Sequence, residues 1–427
     1  MLSSMYAAVM GLRNHQLRMD VIGNNIANLN TVGFKAGRVN FSEAFAQTLQ
    51  SASPASGNRG GTNPFQVGMG SQVSSIDNLF NQGTLQSTGM GTDLALQGEG
   101  FFILGNGGNQ SFTRDGAFNF DAQGNLVDPS SGLMVQGYMA DNTGVVPPGS
   151  QLSGIKIPLD STSAAKFTSQ MVLHGNLDSS SALPAAGPPV VAGATFDATS
   201  SVFDSQGNKI AVTLTFTHSA ANTWDVTLKA PTGGTNAITK TQLVFDNAGA
   251  LKTAAGTSSF GKITLDPVGG AAGVSIDFAD PKNAGAFTGM TQTAGESNPF
   301  VFSQDGYTAG SITRTTIDAK GNVVGTFSNG VTRNLAQIGL ARFANENGLS
   351  KDSGNQWTES TNSGRAVFGT AGGTGFGTLQ AGALESSNVD LASEFTDLIV
   401  AQRGFQANSK MITTGDEMLQ EVVNIKR

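Results

Sequence analysis

Residues 23–35 read GNNIANLNTVGFK: Gly23, then Asn24-Asn25-Ile26-Ala27-Asn28-Leu29-Asn30, then Thr31-Val32-Gly33-Phe34-Lys35. This stretch decides the fold because it stops a helix close to the start of the chain. Upstream of it, Met5, Leu12, Met19 and Ile26 recur every seven residues. Leu2, Val9, Gln16 and Gly23 take the intervening positions. That spacing predicts an amphipathic helix with a heptad seam, weakened at Gln16 and Gly23. Asn side chains bond to nearby backbone and tolerate left-handed conformations, so a run of four ends such a helix. Thr31-Val32-Gly33 then follows as a turn, with Phe34 after it.

The other end of the chain repeats the pattern. Leu391, Leu398, Phe405, Ile412 and Leu419 are again seven apart, and Phe395 and Val423 fall on the second seam position. Ser387 and Asp390 form an [ST]-x-x-[DE] capping pair just before Leu391. A strict seven-residue repeat favours supercoiled partners over a flat sheet face. Magnitudes bear on the state of these ends in a lone chain. Five or six buried seam residues contribute on the order of 10–15 kcal/mol. Ordering roughly 35 residues costs ~1–2 kcal/mol each. Gly11, Gly23, Gly404 and Gly415 each add about 1 kcal/mol relative to Ala. The expectation is that the ends fray in the monomer and order when many copies pack together, as in an assembly subunit.

The long body between the ends reads as strands and turns. Gly is 56 of 427 residues and only 13% of the chain is charged, which suits turns and strands with a neutral polar surface. Asp-x-x-Gly recurs at Asp121–Gly124, Asp141–Gly144, Asp204–Gly207, Asp246–Gly249 and Asp318–Gly321. Asp accepts a backbone bond two residues on, and Gly supplies positive φ for a tight turn. None carries the further carboxylates of a calcium loop. Ile210, Val212, Leu214 and Phe216 alternate with small polar residues, as do Trp224, Val226 and Leu228, so both runs predict half-buried antiparallel strands. Composition loosens over residues 156–296, especially at 179–189, and residues 51–64 form a Ser/Gly/Asn/Pro-rich linker.

The expected class is α+β: a terminal α-helical coiled-coil pair plus two mainly antiparallel β domains in a nested, discontinuous arrangement. Residues 1–65 and 381–427 would form a helical inner core with its linker. Residues 66–155 and 297–380 would form the first β domain, and residues 156–296 an inserted outer β domain.

Little in the sequence points to chemistry. There is no Cys, which excludes disulfides, thiolate metal sites and a cysteine nucleophile. His15, His174 and His218 have no metal-ligand spacing. No Gly-x-Ser-x-Gly elbow occurs, and Gly372–Gly377 lacks the Lys-Ser/Thr of a phosphate loop. The net charge of −7 argues against nucleic-acid binding. No apolar run approaches a membrane span, and the first residues lack the basic region and apolar core of a secretory signal. The expectation is a non-enzyme with no catalytic, cofactor or metal residues and no membrane insertion, exported without a cleavable signal peptide if it leaves the cell.

Residues 24–35 resemble the Asn-Asn-Ile-Ala-Asn-x-x-Thr-x-Gly-Phe-Lys signature of the bacterial flagellar rod and hook axial proteins. The matching positions here are Asn24, Asn25, Ile26, Ala27, Asn28, Thr31, Gly33, Phe34 and Lys35. Ser387-Asn-Val-Asp-Leu391 with Ile399-Val-Ala-Gln-Arg403 resembles that family's C-terminal signature. Leu94–Ile103 and Phe112–Gly116 look like strands of its first β domain. Phe405 departs from the Tyr often found there. Length, the inserted domain and Val422–Arg427 point to the hook branch rather than a shorter rod subunit. The resemblance implies a homo-oligomeric helical tube, a curved universal joint between motor and filament. It also implies flagellar rod, hook cap and hook–filament junction proteins as neighbours, export by the flagellar type III apparatus, and an extracellular location. A distal-rod subunit and a secreted β-rich adhesin are the alternatives.

Overall fold

The computed structural model describes residues 2–54, 57, 60–106, 108–157, 162–184, 192–229, 241–252, 260–264, 273–278 and 289–425. Parts of the loose 179–189 stretch, of the 51–64 segment and of the terminal Val422–Arg427 motif lie outside the described residues. The chain is mostly β, with one long helix near each end: α1, Leu2–Ala27, and α2, Leu391–Ile425. It divides into two compact units. The first comprises residues 1–159, 314–325 and 332–427, and the second residues 160–313 and 326–331.

In the first unit, α1 leads through the Asn-rich segment into β1, Gly37–Glu43. Next come β2, Ala46–Gln50, β3, Phe65–Gly68, and β4, Ser71–Asn78. β1 pairs with β4 and β2 with β3, both antiparallel. Within the segment expected to be a linker, Ser53 and Thr62 form a bridge that extends the pairing of β2 with β3. The unit's sheet runs Thr332–Arg342, Met134–Met139, Phe101–Asn106, Asn109–Thr113, Gln356–Thr358, Ser350–Lys351, each strand antiparallel to the next. Its core gathers Phe101, Phe112, Phe343 and Trp357, with Phe343 edge-to-face to Phe101 and Phe112, and Phe80 edge-to-face to Phe101 and Trp357. Two short pairs then bring the returning chain home. Thr378–Ala381 pairs with Leu94–Gln97, and Ala383–Glu385 pairs with Leu85–Ser87.

In the second unit, Thr195–Phe203, Lys209–Ala220, Thr223–Lys229 and Thr241–Val244 form an antiparallel meander. Val212, Leu214, Phe216, Trp224 and Val226 point into one core, following the alternation in the sequence. Gln170–Asp178 pairs antiparallel with Phe300–Gln304 but parallel with Gly273–Asp277 and Met290–Thr293. Antiparallel pairing thus dominates without being universal. All five Asp-x-x-Gly sites are one turn repeated. Each Asp Oδ1 accepts the N–H groups two and four residues on, and each Gly has φ between 76° and 84°. The carboxylate oxygens are committed to the backbone, so they are turn formers.

Candidate assembly site

The Asn run ends α1 by hydrogen bonding. The Asn28 N–H donates to the carbonyls of Asn24 and Asn25, both at 3.2 Å. Its side chain donates to Asn24 O at 2.9 Å and accepts from Thr31 Oγ1 at 3.1 Å. Contrary to expectation, none of these asparagines is left-handed; positive φ falls on Gly33, at 66°. A Cβ on Gly33 would stand 2.7 Å from Asp115 N, so close approach and backbone angle both require glycine. Asn25 has a different task. Its amide exchanges two bonds with the Gly37 backbone, each 2.9 Å, and donates a third to Glu394 Oε1 on α2. One buried Asn thus ties the end of α1 to the start of β1 and to α2.

Beyond the turn the chain is sewn to its far end. The Gly33 N–H donates to Glu385 O at 2.8 Å and the Ala36 N–H to Asn388 Oδ1 at 2.8 Å. The Asn388 amide donates to Leu79 O and Asn81 O. Phe34 packs with Ala36, Val389, Leu29 and Leu79, and the Lys351 ammonium lies 4.5 Å from its ring centroid. Lys35, Glu385 and Arg114 form a buried charged knot. Lys35 Nζ meets Glu385 Oε1 at 2.6 Å, with side-chain exposures of 1% and 0%. The same oxygen accepts the Gly83 N–H at 2.8 Å. Arg114 Nη1 stands 3.6 Å from Glu385 Oε2, and its guanidinium lies 5.2 Å from the Phe101 ring centroid. Burial pushes the Lys35 ammonium below its usual range, and Glu385 pulls it back up. Burial likewise lowers Arg114, opposed first by Glu385 and then by Glu346. Glu346 is itself raised by burial and held down by Arg114. The knot therefore holds two buried cations against the single carboxylate of Glu385.

The helices that leave this knot run antiparallel against each other. Met5 packs at Gly415, Gly11 at Asn408 and His15 at Gly404, while Arg18 Nη2 meets Asp397 Oδ1 at 3.0 Å. Residue numbers rise along one helix as they fall along the other. A Cβ on Gly11 would stand 2.7 Å from Asn408 Nδ2, and one on Gly404 would collide with the His15 ring. Gly23 alone among the four helix glycines has nothing within 4 Å. Three glycines counted as liabilities are thus close-contact positions, and both ends are helical and packed in the single chain. An adjoining face of α1 meets β1 and β4, as where Asn14 Nδ2 donates to Ser71 O at 2.7 Å.

The residues expected to form the seam divide. Met5, Leu12, Met19 and Ile26 are half-buried, as are Leu398, Phe405, Ile412 and Leu419. Leu391 and Phe395 stay 37% and 49% exposed. The tightest line on α2 is instead Glu394, Ala401, Asn408 and Gly415, small or polar residues that a search for large apolar side chains passes over. Asp390, not Ser387, caps α2, its Oδ1 accepting the Ala392 N–H at 3.0 Å. The three histidines stand apart, His15 on α1, His174 stacked on Phe302 and His218 stacked on Trp224. Among the described residues no group of three or more His, Asp or Glu is placed to hold a metal ion. Glu385 and Arg114 were not anticipated as site residues; for Glu385 the signal was a charge set in a short apolar strand, Ala383–Glu385, of a charge-poor chain.

Family profiles match in the order these elements occur. A flagella basal body rod protein profile covers residues 5–35, and a flagellar hook protein FlgE/F/G D1 domain covers 95–168. A flagellar basal body protein FlaE D2 domain covers 176–307, and a flagellar basal body rod FlgEFG C-terminal profile covers 380–425. The flagellar hook protein FlgE of Borreliella burgdorferi is 40% identical over 444 residues, covering 100% of both chains. The chain belongs to the flagellar hook protein family. The hook protein of Treponema pallidum is 38% identical, again over 100% of both chains. The crystal structure of Helicobacter pylori flagellar hook protein FlgE2 shares the fold at TM-score 0.52 and 16% identity, over 70% of this chain and 100% of that one. As a member of the hook family, the chain is a structural subunit of the flagellar hook.

Two outcomes follow from this geometry. Glu385→Gln leaves Lys35 and Arg114 buried without their counter-charge and costs about 3–5 kcal/mol. Lys35→Met combined with Glu385→Leu costs less than Glu385→Gln alone, because one buried cation, Arg114, is left unpaired instead of two. Denaturant unfolding read by Trp357 fluorescence, in a Trp224→Phe background, measures both. The second outcome concerns His15, which burial, and then Arg18, push below its ordinary value of 6.5. The unpacked chain therefore binds the proton more readily, so the packing of α1 on α2 weakens as pH falls below about 6.5. Far-UV circular dichroism from neutral to mildly acid pH should show less acid-side loss in His15→Gln than in the parent.

Proposed function

We propose that the chain polymerises through α1 and α2 into a curved hollow tube that carries torque from the flagellar motor to the filament as a universal joint. One observation carries this reading: the apolar surface that α2 leaves uncovered. α2 rests on α1, while Phe395, Ile399, Val400, Met411 and Met418 face outward. Apolar side chains spread over a 35-residue helix find cover when helices from neighbouring copies pack beside it. The helix pair then serves as a coiled-coil-like seam in a shared inner layer. Residues 66–155 with 297–380 form a middle layer, and residues 156–296 an outer inserted domain. A surface with few charges favours weak polar contacts between outer domains, which can slide as each row of subunits shortens and lengthens.

The working partners on this reading are further copies of the chain, the flagellar rod below, the cap at the growing end, and the junction to the filament. The subunit passes unfolded through the type III export apparatus and works outside the cell. A distal-rod subunit is the second reading, favoured by the rod profile over residues 5–35. It separates by shape, since a rod gives short straight tubes and a hook curved ones. The test is electron microscopy of full-length protein concentrated by salting out and seeded with hook fragments. Curved hollow tubes are expected from the parent chain, and none from Leu12→Asp or Leu398→Asp, whose β sheets stay folded by circular dichroism. Normal tubes from either variant would refute the inner-layer role.

A further inference from the structure

Three Asn-Gly pairs occur in the chain, at 106–107, 329–330 and 347–348. Glycine carries no Cβ to shield its backbone nitrogen, so that nitrogen can reach the side-chain amide of the asparagine before it. The pair at 106–107 extends outside the described residues. The fold holds the other two in different ways.

Asn329 is fixed at both ends of its amide. Its Nδ2 donates to Thr308 O at 2.8 Å, and its Oδ1 accepts the Val331 N–H at 3.1 Å. The Gly330 N–H is held by Phe327 O at 2.9 Å. Asn347, by contrast, is exposed, and its side chain makes no hydrogen bond among the described residues. It lies in a single 3-10 turn, Glu346–Gly348, whose capping residue Asn345 makes no side-chain cap bond. Such a turn has poorer hydrogen-bond geometry than an α-helix. The Gly348 N–H is held there by Asn345 O at 3.2 Å.

We propose that Asn347 is a site of spontaneous self-modification. The Gly348 backbone nitrogen attacks Asn347 Cγ, the new N–Cγ bond closes a cyclic imide, and the Cγ–Nδ2 bond breaks. The Gly348 N–H proton leaves with the amide nitrogen as ammonia. A solvent water then opens the ring at Cγ to give aspartate, or at the Asn347 main-chain carbonyl to give isoaspartate. Either product places a new negative charge beside Glu346. Isoaspartate also adds a methylene to the main chain, where the turn has little room. A Cβ on Gly348 would already stand 2.7 Å from backbone atoms of Asn362 and Ser363, and Gly348 O accepts the Ser360 hydroxyl. The lengthened turn therefore displaces Glu346, the half-buried carboxylate whose charge acts on Arg114 of the knot.

The test holds the full-length chain at mildly alkaline pH and follows both sites by peptide mapping and isoaspartyl methyltransferase labelling. In the folded chain Asn347 should convert at least about tenfold faster than Asn329. In urea the two should convert at similar rates, because the fold alone distinguishes them. Equal rates in the folded chain overturn the proposal. So does a difference of the same size in urea, which would belong to the neighbouring sequence. Asn347→Gln, with its amide one methylene further out, is the slow control. After conversion the parent should unfold at lower denaturant than Asn347→Gln held equally long, read by Trp357 fluorescence in a Trp224→Phe background. Equal midpoints would refute the link from this turn to the knot.

Discussion

The contact between Lys35 and Glu385 joins positions 350 residues apart, and the rest of the first unit is arranged around it. Both side chains are withdrawn from water, a costly placement that only close pairing and further hydrogen bonds offset. The Gly83 N–H and the Asn81 carbonyl supply those hydrogen bonds, and the Arg114 guanidinium adds a second positive charge 3.6 Å from Glu385 Oε2. Such a knot adds little to stability over a well-packed apolar core, but it accepts few alternative arrangements. It sits where the chain leaves α1 and shortly before it enters α2. A fixed knot therefore fixes the direction in which both helices depart.

The helices then meet over small residues. Gly11, Gly404 and Gly415 let the backbones approach, and the polar residues at the contact, Asn408, Glu394, Asn25 and Arg18, all find partners. A contact of this kind specifies register more than it supplies burial. The large apolar side chains of α2 are left free to face elsewhere. A monomer can hold its ends in order and still keep the surface that assembly needs. The earlier expectation of frayed ends treated each glycine as a cost alone and left out the support that the β1–β4 hairpin gives α1.

Much of this was legible in the sequence. Seven-residue spacing located both helices, the Asp-x-x-Gly turns marked chain reversals in both units, the Ile210–Phe216 alternation located a strand of the second, and GNNIANLNTVGFK marked the end of α1. Phase was less legible. Large apolar residues at Leu391 and Phe395 suggested seam positions three before and one after the contact line of Glu394, Ala401, Asn408 and Gly415, because periodicity reports spacing and not which face meets a particular neighbour. The left-handed turn fell on Gly33 rather than on an Asn because only glycine fits against Asp115. Glu385 and Arg114 went unread because an ion pair across 271 positions leaves no local pattern. A Glu in an apolar strand of a chain with 13% charged residues was the one available hint.

The central claim is that the Lys35–Glu385–Arg114 knot holds the helix pair in a fixed direction relative to the first unit's sheet. The chain has no Cys, so spin labels can be placed singly. Labels at Ser409 on α2 and Ser131 beside the sheet would report that direction through their distance distribution in pulsed electron resonance. The expected result is a narrow distribution in the parent chain and a broad one in Glu385→Gln, with the sheet still folded. Equal widths in the two proteins would contradict the claim.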